Sequence, residues 1–287
     1  MLPRGCGQGL PAGPSGAQLR HRMNHVTAGE YWNGNAEAWS KLARAGYDVY
    51  RDHLNTPAFL AMLPPVAGLH GIDLGCGEGH NTRLLAQRGA TMTAIDIAPV
   101  FVRLAQAEET RAPLGITYRE ASAVALPFAD GAFAFATAFM SLHDIPETEL
   151  ALAEAFRVLQ PGGFLQFSIL HPCFNPPHRR NCRDEDDNVH AVEVGDYFVD
   201  ARGHVDEWIF GAAPAAMRAR LPKFKVPRFH RPVGEWLNLL ISAGFTLERV
   251  EEPYPSPETV RAHPMLQDAR VAAYFLHIRV RKPARSA

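Results

Sequence analysis

The amino-acid sequence predicts an α/β fold built on a parallel β-sheet, and two observations support this prediction. Strand-like and helix-like segments alternate from residue 69 to residue 170, at spacings that suit right-handed βαβ units. Within this region, residues 132–140 are apolar throughout, as expected of a strand that is buried on both faces. The chain has 287 residues, enough for one large α/β domain or two small ones.

The elements of the alternating region follow one another in a regular order. We expect strands at residues 68–74, 91–97, 116–118, 132–140 and 164–170, and helices at residues 81–88, 100–109 and 147–159. A helical pattern over residues 30–63 precedes them, with apolar residues three or four positions apart. A helix at residues 235–243 and strands at residues 245–250 and 272–280 follow them.

Residues 171–231 have no clear period and are rich in proline, arginine, aspartate and aromatic residues. Because a structureless stretch of this length is uncommon inside a compact domain, we expect a small inserted subdomain that acts as a lid. The predicted organisation is a disordered leader (1–25), an N-terminal helical cap (26–66), a cofactor-binding core (67–170), the inserted lid and substrate region (171–231), and the C-terminal part of the core sheet (232–287).

Charge, hydropathy and cysteine content argue against several functional classes. The 29 basic and 30 acidic residues give a net charge of -1, without the basic excess of a nucleic-acid-binding protein. No apolar run approaches the roughly 18–20 residues of a membrane helix. The four cysteines are too sparse for a secreted disulfide framework. We therefore expect a cytoplasmic protein whose partners include neither nucleic acid nor membrane.

The sequence Asp-Leu-Gly-Cys-Gly-Glu-Gly at residues 73–79 follows the first predicted strand. Closely spaced glycines let a ligand lie against the backbone, and the helix that follows presents free N–H groups. A dinucleotide-binding loop would have a third glycine where His80 stands. The spacing here, preceded by Asp73, suits S-adenosylmethionine (SAM) better than a dinucleotide.

Asp96 ends the second predicted strand, 21 residues after Gly75. A carboxylate at this position can accept hydrogen bonds from both ribose hydroxyls of a nucleoside. Its alternative roles are an exposed acid at the strand end or an N-cap for the next helix. Because the glycine loop lies at the right distance, we predict that Asp96 binds ribose.

Four ordered motifs resemble those of the class I SAM-dependent methyltransferases, and most of all the methyltransferase type 11 (ubiquinone/menaquinone-type) group. The motifs are residues 73–79, Asp96, Ala-Leu-Pro-Phe at 125–128 and Arg-Val-Leu-Gln-Pro-Gly-Gly at 157–163. The resemblance covers residues 68–171. It implies a Rossmann-like sheet of seven strands in the order 3-2-1-4-5-7-6, with the last strand antiparallel and the lid inserted after strand 5.

The resemblance also implies which residues bind SAM. Asp73, Gly75, Cys76 and Gly77 would line the methionine end, Asp96 would hold the ribose, and Ile97 would pack on the adenine. Ser122 and Ala123 stand where many relatives have Asp-Ala, so Ser122 departs from the family pattern. Phe139 and Met140 would end the fourth strand beside the sulfonium.

Methyl transfer needs an in-line approach to an already activated methyl group, and a general base only if the acceptor keeps a proton. The candidates for catalysis follow strands four and five, and are His143, Asp144 and His171. His143 could instead be a structural cap or a SAM contact, and His171 a buried, hydrogen-bonded residue that shapes a turn.

The acceptor is expected to meet two parts of the chain. Tyr47, Tyr50 and Arg51 belong to the N-terminal helical region, which in relatives folds over the SAM pocket. The lid contributes Phe198, Trp208, Phe229 and His230. In both places the alternative is plain packing of the aromatic side chains. The Cys and His residues at 171–182 match no common zinc spacing, so no metal is predicted.

We therefore predict a SAM-dependent methyltransferase that acts on a small-molecule acceptor by O-, N- or C-methylation, as a monomer or homodimer. The alternatives are a methyltransferase acting on RNA or protein, and a SAM-binding protein without catalysis.

Overall fold

The computed structural model describes residues 23–284. The α-helices are α1 (His25–Arg44), α2 (Thr56–Met62), α3 (His80–Ala86), α4 (Pro99–Arg111), α5 (Thr148–Val158), α6 (Ala215–Arg218), α7 (Val233–Ser242), α8 (Pro257–Ala262) and α9 (Asp268–Val271). The strands are β1 (His70–Leu74), β2 (Thr91–Asp96), β3 (Thr117–Glu120), β4 (Phe133–Phe139), β5 (Leu159–Leu170), β6 (His178–Arg183), β7 (Val189–Gly195), β8 (His204–Trp208), β9 (Phe224–Arg228), β10 (Thr246–Glu251) and β11 (Phe275–Arg281). A π-helical turn (Arg51–Asn55) precedes α2, and 3-10 turns occupy Leu142–Asp144 and Pro264–Leu266.

Seven strands form one mixed sheet in the order β3-β2-β1-β4-β5-β11-β10. Strand β11 runs antiparallel to both of its neighbours, and the other pairs are parallel. Numbered within this sheet alone, the order is 3-2-1-4-5-7-6, so the predicted Rossmann-like fold is confirmed. Every strand and helix predicted between residues 68 and 170 is present.

The two faces of the sheet each carry an apolar cluster, and β4 contributes to both. Ala136 and Ala138 belong to the cluster that includes side chains of α5 and α7. Phe135, which directly precedes Ala136, belongs to the cluster formed with Met92 and Val102. Because successive side chains of a strand point to opposite faces, β4 is buried on both sides, as its unbroken apolar run indicated.

The N-terminal helical pattern is interrupted, in contrast to the single helix predicted for residues 30–63. Helix α1 ends at Arg44, and Gly46 takes a left-handed conformation with φ +81°. The Tyr47 N–H donates to the carbonyl of Leu42, which closes the helix end. The chain becomes helical again at Val49, so Tyr47 lies in the irregular connection and Arg51 begins the π-helical turn.

The inserted residues 171–231 contain two β-hairpins, which the sequence did not reveal. Strands β6 and β7 pair only with each other, and so do β8 and β9. The acidic run at 184–187 forms the turn between β6 and β7, where Asp184 accepts hydrogen bonds from the N–H groups of Asp186 and Asn188. These strands are short and largely exposed, so they lack the alternation that marks a half-buried strand.

The division into leader, cap, core, lid and C-terminal part stays a prediction. Residues 1–22 of the proposed leader lie outside the described residues, and α1 begins at His25, the last residue of that predicted leader. Within residues 23–284, no helix has the length and apolarity needed to cross a membrane.

Candidate active site

A cavity of about 810 Å³ opens at the carboxyl ends of the parallel strands, where open α/β sheets bind ligands. The loops after β1, β2, β3 and β4 supply one wall. Helix α1, the π-helical turn, the β8–β9 hairpin and the segment before β11 supply the others. The cavity is therefore shared by the sheet and the elements added to it.

The glycines after β1 serve two different purposes. Gly75 and Gly77 both have a positive φ, +72° and +55°. A Cβ added to Gly75 would lie 2.5 Å from the Cβ of Ser141, whereas one added to Gly77 would meet nothing within 4 Å. Gly75 thus lets the loop pack against the residues after β4, and Gly77 leaves its backbone open to the cavity.

Gly75→Ala is expected to unfold the protein at a lower temperature and to remove SAM binding, because both the backbone conformation and the space forbid a side chain. The strain and overlap together should cost about 2–4 kcal/mol of stability. Gly34→Ala is the matched control: Gly34 is exposed within α1, has no neighbour within 4 Å, and should gain about 0.5–1 kcal/mol. Thermal denaturation measures both, and equal stability of the two variants would contradict this account of the loop.

Asp96 lies at the end of β2 and is 7% exposed. One carboxylate oxygen accepts from the N–H of Gly77 at 2.8 Å, and the other accepts from the N–H of Ala98 at 2.9 Å. A carboxylate has about four acceptor sites, so each oxygen keeps capacity for a ligand. Asp96 thus ties the glycine loop to the segment before α4 and also lines the cavity. The N-cap of α4 is Ala98, and no side chain caps that helix, so the capping role considered from the sequence is wrong.

SAM and its product S-adenosylhomocysteine (SAH) are expected to bind more weakly as the pH falls below about 6. Burial raises the pKa of Asp96 from 3.8 to about 6, so the carboxyl is ionised at neutral pH and protonates in mild acid. Protonation removes acceptor capacity, and the affinity should fall by up to about tenfold per pH unit below the pKa. Calorimetric titration with SAH across this range measures the effect. Asp96→Asn should remove the part of the dependence due to Asp96, and Asp48→Asn measures the part due to Asp48, whose pKa burial also raises to about 6. A flat profile in the unaltered protein would argue against a ligand on Asp96.

Asp73 lies beneath the glycine loop and not along the cavity wall. It is 2% exposed, and its two oxygens accept from the hydroxyls of Thr82 and Thr137 at 2.6 and 2.8 Å. These bonds tie α3 and β4 to the end of β1. The structure therefore gives Asp73 a supporting position, in place of the direct contact that the family resemblance implied.

The residues expected around the adenine lie together beneath α1. Ile97, Ser122 and Ala123 line the cavity, and the Ser122 hydroxyl accepts from the N–H of Val124 at 3.4 Å. A Cβ added to Gly29 of α1 would come within 2.9 Å of the Ile97 side chain. Helix α1 therefore covers this end of the cavity at close range.

An ionic cluster surrounds the glycine loop at the other end. Arg51 pairs with Glu78 at 3.3 Å and with Asp52 at 2.7 Å, and Arg44 reaches the second oxygen of Glu78 at 3.1 Å. Asp48 also lines the cavity, and burial raises its pKa to about 6. Arg51 therefore lies against the cofactor loop, in contrast to the acceptor position expected from the sequence.

The end of β4 brings Phe139 and Met140 to the middle of the cavity. Met140 has φ +55°, an unusual conformation for a side chain of this size, and its N–H donates to the carbonyl of Ser168 at 3.1 Å. Backbone strain of this kind costs about 1–3 kcal/mol and is typical of functional positions.

His143 follows on the 3-10 turn and also lines the cavity. Its Nε2 lies 3.6 Å from Oδ1 of Asp144, and its Nδ1 is buried without a hydrogen-bond partner in the described structure. Burial, together with the charges of Arg228 and Arg231, lowers the pKa of His143 to about 3. Burial raises the pKa of Asp144. The imidazole is therefore neutral near pH 7 and has a free lone pair.

Besides Asp73, two predicted residues fall outside the cavity. His171 is 4% exposed, its Nε2 lies 2.7 Å from Glu252, and its Nδ1 accepts from the N–H of Cys173. Both ring nitrogens are used to hold the turn after β5, which is the alternative role considered for it. Phe198 is 87% exposed on the outside of the insertion.

The other predicted acceptor residues line the cavity, but many of their rings also pack on neighbours. Trp208 contacts Trp39 of α1, with ring centroids 5.4 Å apart. Phe229 and His230 follow β9, and His230 Nε2 lies 2.9 Å from the carbonyl of Tyr197. The aromatic residues of the insertion thus form a shared core with α1 and present one side to the cavity.

Tyr47 and Tyr50 both line the cavity, and Tyr47 also packs against the apolar cluster that includes Phe210 and Phe224. The Tyr50 hydroxyl donates to the buried carboxylate of Asp268 at 2.6 Å, and Arg179 binds the other oxygen at 2.8 Å. Burial and the Asp268 charge raise the pKa of Tyr50, so its hydroxyl stays protonated. Tyr50 therefore presents its ring, and not an ionised oxygen, to a ligand.

Sequence reasoning missed three charged residues that the β8–β9 hairpin contributes to the cavity wall, namely Asp206, Glu207 and Arg228. Arg228 donates to Asp206 across the hairpin at 2.7 Å. Recognising the hairpin would have been the signal, because it places Arg228 on the strand that leads to Phe229 and His230. Among the described residues, no cluster of three or more His, Cys, Asp or Glu side chains could hold a metal.

The fold is that of the Rossmann-like methyltransferases. Residues 72–167, about a third of the chain, match the family model described as a methyltransferase domain (Methyltransf_11). The predicted family resemblance, the methyltransferase assignment and SAM as cofactor are confirmed for this domain.

The curated relatives match between a third and a half of the chain. A demethylmenaquinone methyltransferase of Thermus thermophilus is 38% identical over 96 residues, which is 33% of this chain and 44% of the relative. A malonyl-[acyl-carrier protein] O-methyltransferase of Pectobacterium atrosepticum is 31% identical over 137 residues, 47% of this chain and 52% of the relative. The chain thus spans about half the length of these relatives.

Solved structures extend the similarity beyond that region. A SAM-dependent methyltransferase from Mesorhizobium loti superposes with a TM-score of 0.62 at 29% identity, over 78% of this chain and 96% of the other. One from Listeria monocytogenes superposes with a TM-score of 0.63 at 24% identity, over 79% and 96%, which supports the fold.

Proposed function

We propose that this protein transfers the methyl group of SAM to a small molecule held between the sheet and the β8–β9 hairpin. One observation carries the proposal: a single cavity is lined by the glycine loop and Asp96, by Met140 and His143, and by the aromatic side chains of the hairpin. Ligand pockets usually measure about 300–1,000 Å³, so 810 Å³ leaves room for a cofactor and a small acceptor.

In the proposed complex, the cofactor lies along the carboxyl ends of β1 and β2. Asp96 accepts from the ribose hydroxyls, and the adenine lies between Ile97 and the loop after β3, under α1. The methionine end would meet the ionic cluster at the glycine loop, where Glu78 and Asp48 suit its ammonium group and the remaining N–H groups of Arg51 suit its carboxylate. When bound, SAM supplies an activated methyl group, and the chain supplies position and orientation.

The acceptor would occupy the half of the cavity bounded by Trp208, Phe229, Tyr50 and His230. Rings on several sides favour a flat, partly apolar molecule, and the methylated atom can be O, N or C. Relatives named for ubiquinone biosynthesis and for demethylmenaquinone methylation fit this class, and one named for malonyl-[acyl-carrier protein] extends it to a carrier-bound acid.

His143 would act as the general base if the acceptor keeps its proton at neutral pH. Its ring is neutral, lines the cavity and has an unpaired nitrogen. Asp144, 3.6 Å from the other nitrogen, would orient the ring.

We also propose that the protein works in the cytoplasm as a monomer or homodimer, without nucleic acid or membrane. The balanced charge and the unpaired thiols of Cys76, Cys173 and Cys182 support this setting.

The proposal is tested by ligand binding and by product formation on the full chain. Calorimetry should show binding of SAH and none of NADH. Incubation with SAM and a metabolite extract should then release SAH, detected by mass spectrometry. SAH binding without product in any extract would favour a SAM-binding protein without catalysis, and NADH binding without SAH binding would reject the proposal.

A further inference from the structure

Helix α1 touches each part of the cavity in turn. Near its N-terminus, the backbone N–H of His25 donates to Glu147 at 3.0 Å, in the loop that follows His143 and Asp144. Gly29 then packs on Ile97, and near the C-terminus Arg44 pairs with Glu78 of the glycine loop. The helix therefore forms a continuous cover over the proposed cofactor half.

Asn35 lies midway along α1 and is 5% exposed, which is unusual for an amide side chain. Its Nδ2 donates to the carbonyl of Lys225 at 2.9 Å, and its Oδ1 accepts from the Lys225 N–H at 2.9 Å. Lys225 belongs to β9, whose partner strand in the hairpin is β8. The Asn35 side-chain amide thus makes with Lys225 the same two hydrogen bonds that the backbone of an additional neighbouring strand would make.

This pair of bonds fixes a position that the neighbouring aromatic contacts leave open. Trp39 packs on Phe210 and Phe224 of the insertion, with ring centroids 4.9 and 4.8 Å apart. Apolar contacts of this kind are non-directional, whereas two hydrogen bonds to the backbone of one residue define both distance and register. Asn35 therefore determines which residue of β9 lies against α1.

The position of β9 matters because the strand leads directly to the proposed acceptor wall. Val226, Pro227 and Arg228 line the cavity, and Phe229 and His230 follow them. A shift of Lys225 along α1 would move all of these groups with it.

We propose that Asn35 is a positioning residue that couples the cofactor half of the cavity to the acceptor half. It joins α1 and β9 into one cover, so that a cofactor held under α1 also orders the hairpin that faces the acceptor. This inference rests on the proposed function for its ligand, while the tether between α1 and β9 stands on the contacts alone.

The test is amide hydrogen exchange of the full chain, with and without SAH. Without ligand, Asn35→Ala should speed exchange of residues 204–228 by about tenfold or more, because two buried backbone groups lose their partner. With SAH, the unaltered protein should gain protection in both α1 and residues 204–228, and Asn35→Ala should gain it in α1 only. Asn35→Asp keeps the acceptor and loses the donor. The exchange rate of residues 204–228 in this variant should therefore lie between those of the unaltered protein and Asn35→Ala.

Asn33→Ala is the matched control, since Asn33 lies on the same helix and its side chain accepts from the N–H of Val100 at 2.9 Å, at α4. It should leave the protection of residues 204–228 unchanged. Equal exchange of the hairpin in Asn35→Ala and Asn33→Ala would overturn the tether. SAH protection of α1 without protection of the hairpin in the unaltered protein would overturn the coupling. Failure of SAH to protect any segment would reject the proposed function and the coupling together, and the ligand-free comparison would still decide the tether.

Discussion

Asp96→Ala is expected to weaken SAH binding by about hundredfold or more. The substitution removes the carboxylate proposed to accept from both ribose hydroxyls, and each hydrogen bond to a charged group is worth about 1.5–3 kcal/mol. It also leaves the N–H groups of Gly77 and Ala98 without the carboxylate to which they donate in the unaltered protein. The glycine loop and the start of α4 would lose their shared anchor, so the site would be less preorganised as well.

Calorimetry with SAH measures this effect against two controls. Glu120→Ala removes a carboxylate at the end of the neighbouring strand β3, where Glu120 pairs with Asp96 in the sheet register and faces solvent. Its affinity for SAH should change by less than about threefold. Asp96→Asn keeps the shape and part of the acceptor capacity, so its loss should be smaller than that of Asp96→Ala. Unchanged affinity in Asp96→Ala would refute the ribose assignment.

His143→Asn is expected to lower kcat by about 100- to 10,000-fold, with SAH affinity changed by less than about threefold, if the acceptor reacts through a protonated atom. The neutral imidazole is the proton acceptor in this proposal, and asparagine keeps a polar group of similar size without a basic nitrogen. Because the pKa of His143 is lowered to about 3, protonation of this ring should cause no loss of kcat between about pH 5 and 8. At saturating SAM, protonation of Asp96 no longer limits cofactor binding. The pH dependence of kcat then reports on His143 and not on Asp96.

Steady-state kinetics and calorimetry on the same preparations give the two quantities. His70→Asn is the control, because His70 begins β1 at the amino end of the strand, away from the cavity, and lies 3.1 Å from the Thr93 hydroxyl. It should change neither kcat nor affinity appreciably. Equal losses of kcat and SAH affinity in His143→Asn would make His143 a cofactor contact, and an unchanged kcat would show that transfer proceeds without this base.

The sequence was informative where a local pattern reflects a local cause. The apolar run at 132–140 reports burial on both faces of β4, and the glycine spacing at 75–79 reports a backbone that needs a positive φ. Asp96 could be placed at a strand end because strand length and loop length fix its distance from the glycines. The apolar spacing did not predict the helix end near Gly46. This residue takes a left-handed conformation and ends α1, although the helical spacing of apolar residues continues past it.

The position of a side chain relative to the cavity was harder to predict. Asp73 and Asp96 both lie at strand ends beside the loop, yet only Asp96 lines the cavity, because the two carboxylate oxygens of Asp73 are taken by Thr82 and Thr137. His171 and His143 both follow a core strand, yet Glu252, 81 residues away, holds His171 in a turn. Contacts between residues so distant in sequence produce no periodic pattern from which they could be predicted.

By itself, the sequence determined the α/β class, the strand and helix order between residues 68 and 170, and the loop that suits SAM. These follow from hydrophobic period and from the steric freedom of glycine, which act within a few residues. Only the tertiary structure decided how α1 and the inserted hairpins enclose the cavity. Asn35 and Lys225 are 190 residues apart, and their two hydrogen bonds exist only after both elements have packed on the sheet.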